Sequence, residues 1–143
     1  MDTNDKDDFF RDELLHFAAL EGDLSQIQRL VSEGHDINAF DDLGKTPLHY
    51  AVEGEHFELA KYLLEHGAEV NAHHEASIGN TPLGEIAGNC SLRIAKLLVD
   101  SGADPTIAGW MQLNALDRAK KRERGDGPQV YELLVRASTK RRA

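Results

Sequence analysis

The chain has 143 residues, enough for one domain with a continuous core that needs neither disulfides nor structural metal. Its one cysteine, Cys90, excludes an internal disulfide, and no run approaches the ~18 apolar residues of a membrane span. Net charge is −9 but unevenly placed: residues 1–116 carry seven bases and 21 acids, a net of −14, whereas residues 117–143 carry nine bases and four acids, a net of +5. Such asymmetry bears on partners rather than on fold.

Met1 to Asp8 is acidic and polar and reads as a frayed tail. It is unlike a secretory or mitochondrial leader, which points to a cytoplasmic protein. A helical pattern begins near Phe9, with Phe10, Leu14, Phe17 and Ala18 on one face, and ends near Gly22. Asp23 stands as an N-cap, with Gln26 in capping-box position after it. The stripe Leu24, Ile27, Leu30 and Val31 follows, and Gly34 closes it as a left-handed residue would. The stretch from Gly34 to Gly44 is turn-rich. Thr46-Pro47 then opens a helix: threonine offers an oxygen to free N–H groups, and proline loses nothing where no bond was available. Phe57, Ala60, Leu63 and Leu64, widened by Leu59 and Tyr62, make the next helix, and Gly67 ends it.

The same phrases then return. Leu15-His16 recurs as Leu48-His49, Gly34 as Gly67 and Asn38 as Asn71, all at one common interval. Thr46-Pro47-Leu48 reappears as Thr81-Pro82-Leu83 at a slightly longer interval, and Asn114 then follows Thr81 at the common one. A period of about 33 residues means stacked supersecondary units, none able to bury its own apolar face. Second helices such as Leu92 to Val99 are apolar around most of their circumference, which suits a helix clamped on two sides.

The runs Thr46-Pro47-Leu48-His49-Tyr50-Ala51, 62–72 and 97–105 resemble the ankyrin-repeat family, and the resemblance covers roughly Leu14 to Ala137. It implies an all-α solenoid of helix–turn–helix units joined by β-hairpin-like fingers, with fingers and first helices forming a concave face. It also implies that His16 and His49 hydrogen-bond neighbouring finger backbones. The expected units are about 9–38, 39–71, 72–106 and 107–137, between an acidic tail at 1–8 and a basic tail at 138–143. The third unit departs from the pattern: Gly84 replaces the histidine and Ile86 the small Ala51. In the fourth, Lys120 to Gly127 is longer and looser than an ordinary inter-helix turn.

Catalytic motifs are not evident: there is no phosphate-binding glycine loop, no His-Glu-x-x-His and no Gly-x-Ser-x-Gly. Cys90 has no base placed beside it, and a structural role is expected. His73-His74-Glu75 is the one local cluster with ligand chemistry, and it carries the alternative of a metal-dependent enzyme, although third and fourth ligands are not evident. The basic end, Lys120-Lys121-Arg122-Glu123-Arg124 and Lys140-Arg141-Arg142, carries the other alternative, nucleic-acid binding, but lacks interleaved aromatics. No cofactor is expected.

In a solenoid the fixed positions build the stack, and the variable ones choose the partner. The fingertips hold Phe40, Asp42, Leu43 and Lys45; then His73, His74, Glu75, Ile78 and Asn80; then Trp110, Met111 and Gln112. Glu53 and Glu55 stand at the end of a first helix. Aromatic and methionine anchors within a charged rim suit a protein interface. The expected function is therefore non-catalytic binding of another protein through the concave face, as an inhibitor, immunity protein or adaptor. The expected partner has a basic surface, such as that of a toxin or nuclease, and the chain is read as a monomer away from membranes.

Overall fold

The computed structural model describes residues 13–74 and 79–142. Among them are eight α-helices and one 3₁₀ turn, with no strand. The helices are α1 (Leu14–Glu21), α2 (Leu24–Ser32), α3 (Pro47–Glu53), α4 (Phe57–Glu65), α5 (Pro82–Ile86), α6 (Leu92–Asp100), α7 (Ala115–Lys120) and α8 (Gly127–Arg142), and the 3₁₀ turn is Trp110–Gln112. The helices pair in chain order and the pairs stack, so that α1, α3, α5 and α7 form a row of first helices and α2, α4, α6 and α8 a second row. Contact along the first row wanes from α1–α3 to α5–α7, whereas in the second row it is largest between α6 and α8.

The core runs continuously through the stack, with Ile27, Leu30, Leu48, Leu63, Leu83, Ile94, Leu98, Val130 and Leu134 all fully buried. Small side chains at Ala18, Ala51 and Ala119 let first helices approach closely, and Ile86, at the equivalent place in α5, is also buried. No described helix is long and apolar enough to cross a membrane.

Local chemistry sets the ends of these elements. Asp23 accepts from the Gln26 N–H at 3.1 Å and Thr81 from the Gly84 N–H at 3.0 Å, each filling a donor the first turn leaves open. Gly34, Gly67 and Gly102 all adopt a left-handed φ, of 94°, 100° and 98°, at the place where a second helix must stop and the chain turn toward a finger. Two asparagines one period apart then tie each unit to the next. Asn38 donates to the Gly67 carbonyl and accepts from the Glu69 N–H, and Asn71 does the same for Gly102 and Asp104.

The buried histidines make the second ladder. His49 Nδ1 accepts from the Thr46 N–H at 3.0 Å, and Nε2 donates to the Asn80 carbonyl at 2.7 Å. One nitrogen must accept and the other donate, so the ring is neutral. Burial holds its pKa down at about 4, against the attraction of the Asn80 carbonyl and Glu85. His16 likewise reaches the Ala39 and Lys45 carbonyls, at 2.8 and 3.1 Å.

The expectation for Phe17 is revised. Phe17 does not join the core; it is 48% exposed, because α2 and α3 clamp α1 along Leu15, Ala18 and Ala19 and leave Phe17 on the open side. The expected start near Phe9, with Phe10 on its face, lies outside the described residues. The last helix continues to Arg142, through the stretch read as a basic tail. The loop after α7 is held in place: Asp126 accepts from the Leu92 N–H at 2.8 Å, at the start of α6.

Because the unfolded chain protonates His49 near 6.5 and the folded chain only near 4, native stability falls as pH drops through that window, by about 3 kcal/mol in full. Denaturant titrations should therefore lose about 2 kcal/mol between pH 7 and pH 5. The loss should be smaller in a folded His49→Gln protein, and an equally steep native and variant profile would assign the effect to other groups.

Candidate partner-binding face

Fingers and first helices meet on one side of the stack. His16 of α1 bonds the finger backbone at Ala39 and Lys45, and the Tyr50 hydroxyl of α3 donates a very short hydrogen bond to Asp41. Asp41 also accepts from the N–H groups of Leu43 and Lys45, at 3.0 and 2.9 Å. Burial alone would raise its pKa, but these donors outweigh burial and hold the carboxylate below its usual range. Tyr50 moves the other way: burial and the adjacent carboxylate push its hydroxyl pKa up. The finger is thus a rigid hoop with Phe40, Asp42 and Leu43 on its outer rim.

Of these rim residues, Phe40 is 42% exposed and Leu43 54%, with Asp42 beside them. The Phe40 ring meets His74 edge to face, with centroids 5.1 Å apart, so the first and second fingers touch. His73 faces the Asn71 carbonyl through Nδ1 at 2.9 Å. Glu75 and Ile78 lie outside the described residues, which contain no group of three His, Cys, Asp or Glu side chains able to hold a metal ion. Cys90 is buried, and burial pushes its thiol up to about 11, well away from nucleophilic use near neutrality.

The remaining predicted residues divide by task. Lys45 bridges Glu53 at 2.8 Å and Glu85 at 3.5 Å, and these carboxylates, against the effect of burial, raise its pKa. Glu53 is pushed up by burial, with Glu85 adding to the effect. Glu85 is held down despite burial, because the Asn80 amide donates to it at 2.8 Å and Lys45 lies close. Glu55 accepts from the Ser91 N–H and hydroxyl, at 3.1 and 2.6 Å, and so serves the start of α6.

Asn80 is buried and sits behind the face rather than on it. Gly84 has no side chain to reach the third finger as His49 reaches the second, and Asn80 takes over: its Oδ1 accepts from the Trp110 N–H at 2.8 Å. That bond fixes a finger whose rim is Trp110, Met111 and Gln112, exposed 54% and 71% at the first two. Met111 and Gln112 both adopt left-handed φ, 58° and 61°, a conformation costing each on the order of 1 kcal/mol.

Sequence reasoning passed over two features here. Phe17 and Tyr50 occupy the same place in successive first helices, one period apart, with Glu85 and Arg118 continuing the series. Glu13, one period before Thr46, stands where the motif has threonine. Subtraction of the period would have exposed both.

Residues 15–108 match the model of ankyrin repeats in three copies, and the chain belongs to the ankyrin-repeat family. The α7–α8 pair adds a fourth helix pair beyond the matched residues. The chain is similar to the nuclear factor NF-kappa-B p105 subunit of Mus musculus, 38% identical over 106 residues, covering 72% of this chain and 11% of that protein. It is 35% identical over 128 residues to the putative E3 ubiquitin-protein ligase XBAT34 of Arabidopsis thaliana, covering 89% and 32%. It is 37% identical over 91 residues to the B-cell lymphoma 3 protein homolog of Mus musculus, covering 63% and 20%. The chain therefore spans a third or less of the length of these relatives. Repeats of this family mediate protein–protein interaction.

The third finger rests on a close approach that only glycine permits. A Cβ on Gly109 would lie 2.2 Å from Asn80 Oδ1 and 2.9 Å from Asn80 Cα. Gly109→Ala should cost about 2 kcal/mol in denaturant unfolding, in the range of an overpacked interior; an unchanged midpoint would show that the finger shifts freely.

Proposed function

We propose that this chain is a non-catalytic binding module that engages a partner protein through the face built from its fingers and first helices. One observation carries this. Seven large apolar side chains are exposed among the described residues, and six of them (Phe17, Leu20, Phe40, Leu43, Trp110 and Met111) belong to first helices or fingers. Val135, on a second helix, is the seventh. Exposed apolar groups scattered singly need no explanation, but segregation to one side is what an interface requires. The family match and the cost of holding Met111 and Gln112 left-handed support the same reading.

The partner has a basic surface. Residues 1–116 carry a net −14, which speeds encounter with an opposite charge and disfavours acidic competitors. Such a module, acting as a monomer in the cytoplasm, works as an inhibitor, immunity-type protein or adaptor, with a basic toxin or nuclease as the sharpest candidate. Trp110, Met111, Phe40 and Leu43 supply apolar anchors, and Asp42 a charge at the rim.

Affinity purification with tagged native protein and with a Trp110→Ala, Asp42→Lys double variant tests the placement. The proteins retained specifically by the native chain should be depleted at least about tenfold with the variant, since both an anchor and a charge are lost. Equal retention by a variant of unchanged thermal stability would move the interface elsewhere on the molecule.

A further inference from the structure

Between α1 and the first finger lies a groove of about 220 Å³. Its walls are apolar at Phe17, Leu20 and Leu43, each about half exposed. The carboxylates that line it are Glu13, Asp41 and Asp42, and among the described residues no lysine or arginine lines it. Asp41 is committed to Tyr50 and to the finger backbone, but the carboxylates of Glu13 and Asp42 make no ion pair among the described residues. Lys45, which lies against the Tyr50 ring, is taken by Glu53 and Glu85.

The repeat shows that one of these carboxylates has displaced a structural group. Thr46, Thr81 and Asn114 begin the later first helices, and Glu13 occupies that place in the first unit. Thr46 lies within hydrogen-bond distance of His49 Nδ1 through both its N–H and its hydroxyl. In the first unit Glu13 makes no side-chain cap, and Nδ1 of the buried His16, another residue of the groove wall, has no hydrogen-bond partner among the described residues. An orphaned buried nitrogen costs stability. The first unit bears that cost and presents a carboxylate at the groove in exchange.

From this we infer that the groove holds an extended segment of the partner protein in which an arginine or lysine alternates with a bulky apolar side chain. The inference rests on the binding-module reading above and names the chemistry at one end of that face. The apolar residue packs on Phe17, Leu20 and Leu43, and the cation is held between Glu13 and Asp42. Alternation suits an extended chain, whose successive side chains point to opposite sides, one toward the apolar wall and the next toward the carboxylates.

Fluorescence anisotropy with a labelled peptide of about ten residues alternating arginine and leucine tests this, against matched peptides with glutamate for arginine or serine for leucine. The native protein should bind the first peptide alone, more weakly as salt rises. Glu13→Thr, Asp42→Asn and Leu43→Ser should each weaken it about tenfold. Glu13→Thr, which restores the motif residue, should at the same time keep or gain thermal stability, so a loss of binding there is not a loss of fold. Absent preference for the basic-apolar peptide, or affinity unchanged in all three variants, overturns the assignment, as does a dimer that Leu43→Ser abolishes, because the groove then belongs to a second copy. If Trp110→Ala releases the physiological partner while the groove variants retain it, this inference fails and the broader reading stands. If none of the variants matters, both fail.

Discussion

His49 is where the helix of one unit and the finger of the next become a single structure. Its ring takes a hydrogen bond from the start of its own helix and gives one to the Asn80 carbonyl. Because the ring is neutral and buried, both bonds run at low dielectric, where they are strong, and where a missing partner is correspondingly costly. Moving down the stack, the equivalent position takes different residues and makes different bonds. His16 has a finger to reach and reaches it. Gly84 reaches nothing, and Asn80 holds the third finger instead. Asp117, with no described unit beyond it, turns back: its carboxylate accepts from the Asn114 N–H while Asn114 accepts from its own.

The outward positions of the first helices carry a second pattern. Reading along one row gives Phe17, Tyr50, Glu85 and Arg118, and the adjacent row gives Leu20, Glu53, Gly88 and Lys121. The face passes from apolar, through a partly buried acidic centre tied by Lys45, to basic. This local gradient is finer than the division of charge between residues 1–116 and 117–143, and it gives the face a direction. A partner docked in reverse would set like charges together at one end or the other, which is how charge selects orientation as well as identity.

Much of the fold was legible because its determinants act over a few residues. Thr46-Pro47, Thr81-Pro82, the glycines at 34, 67 and 102, and Asp23 solve local backbone problems that the chain alone states. The period then made the stack readable from Asn38, Asn71 and the histidines. What escaped depends on neighbours. Phe17 has the right spacing for a core face, but α2 and α3 decide which stripe of α1 is covered. Glu55 reads as a free surface acid until Ser91, a full unit further along the chain, is brought against it. Asn80 looks like a fingertip residue, and its burial follows from a side chain that Gly84 lacks. For the face itself, the exposed apolar rims at Phe40, Leu43, Trp110 and Met111 were readable by exclusion, since stacking does not need them. The groove was not, because it is made jointly by a helix and a finger with all of α2 between them in the chain.

The migration of contact from the first-helix row to the second has a consequence for a partner. Contact along each row follows the length of the helices that make it, short in the first row and longest at α8 in the second. The first helices shorten from eight residues in α1 to five in α5 and six in α7, so fewer packed residues join the far units along the concave side. A rigid partner gripping both ends therefore loads two differently packed halves of the face. A pliable strand of polypeptide asks less of both, settling first on the better-packed units and then along the shorter helix α5.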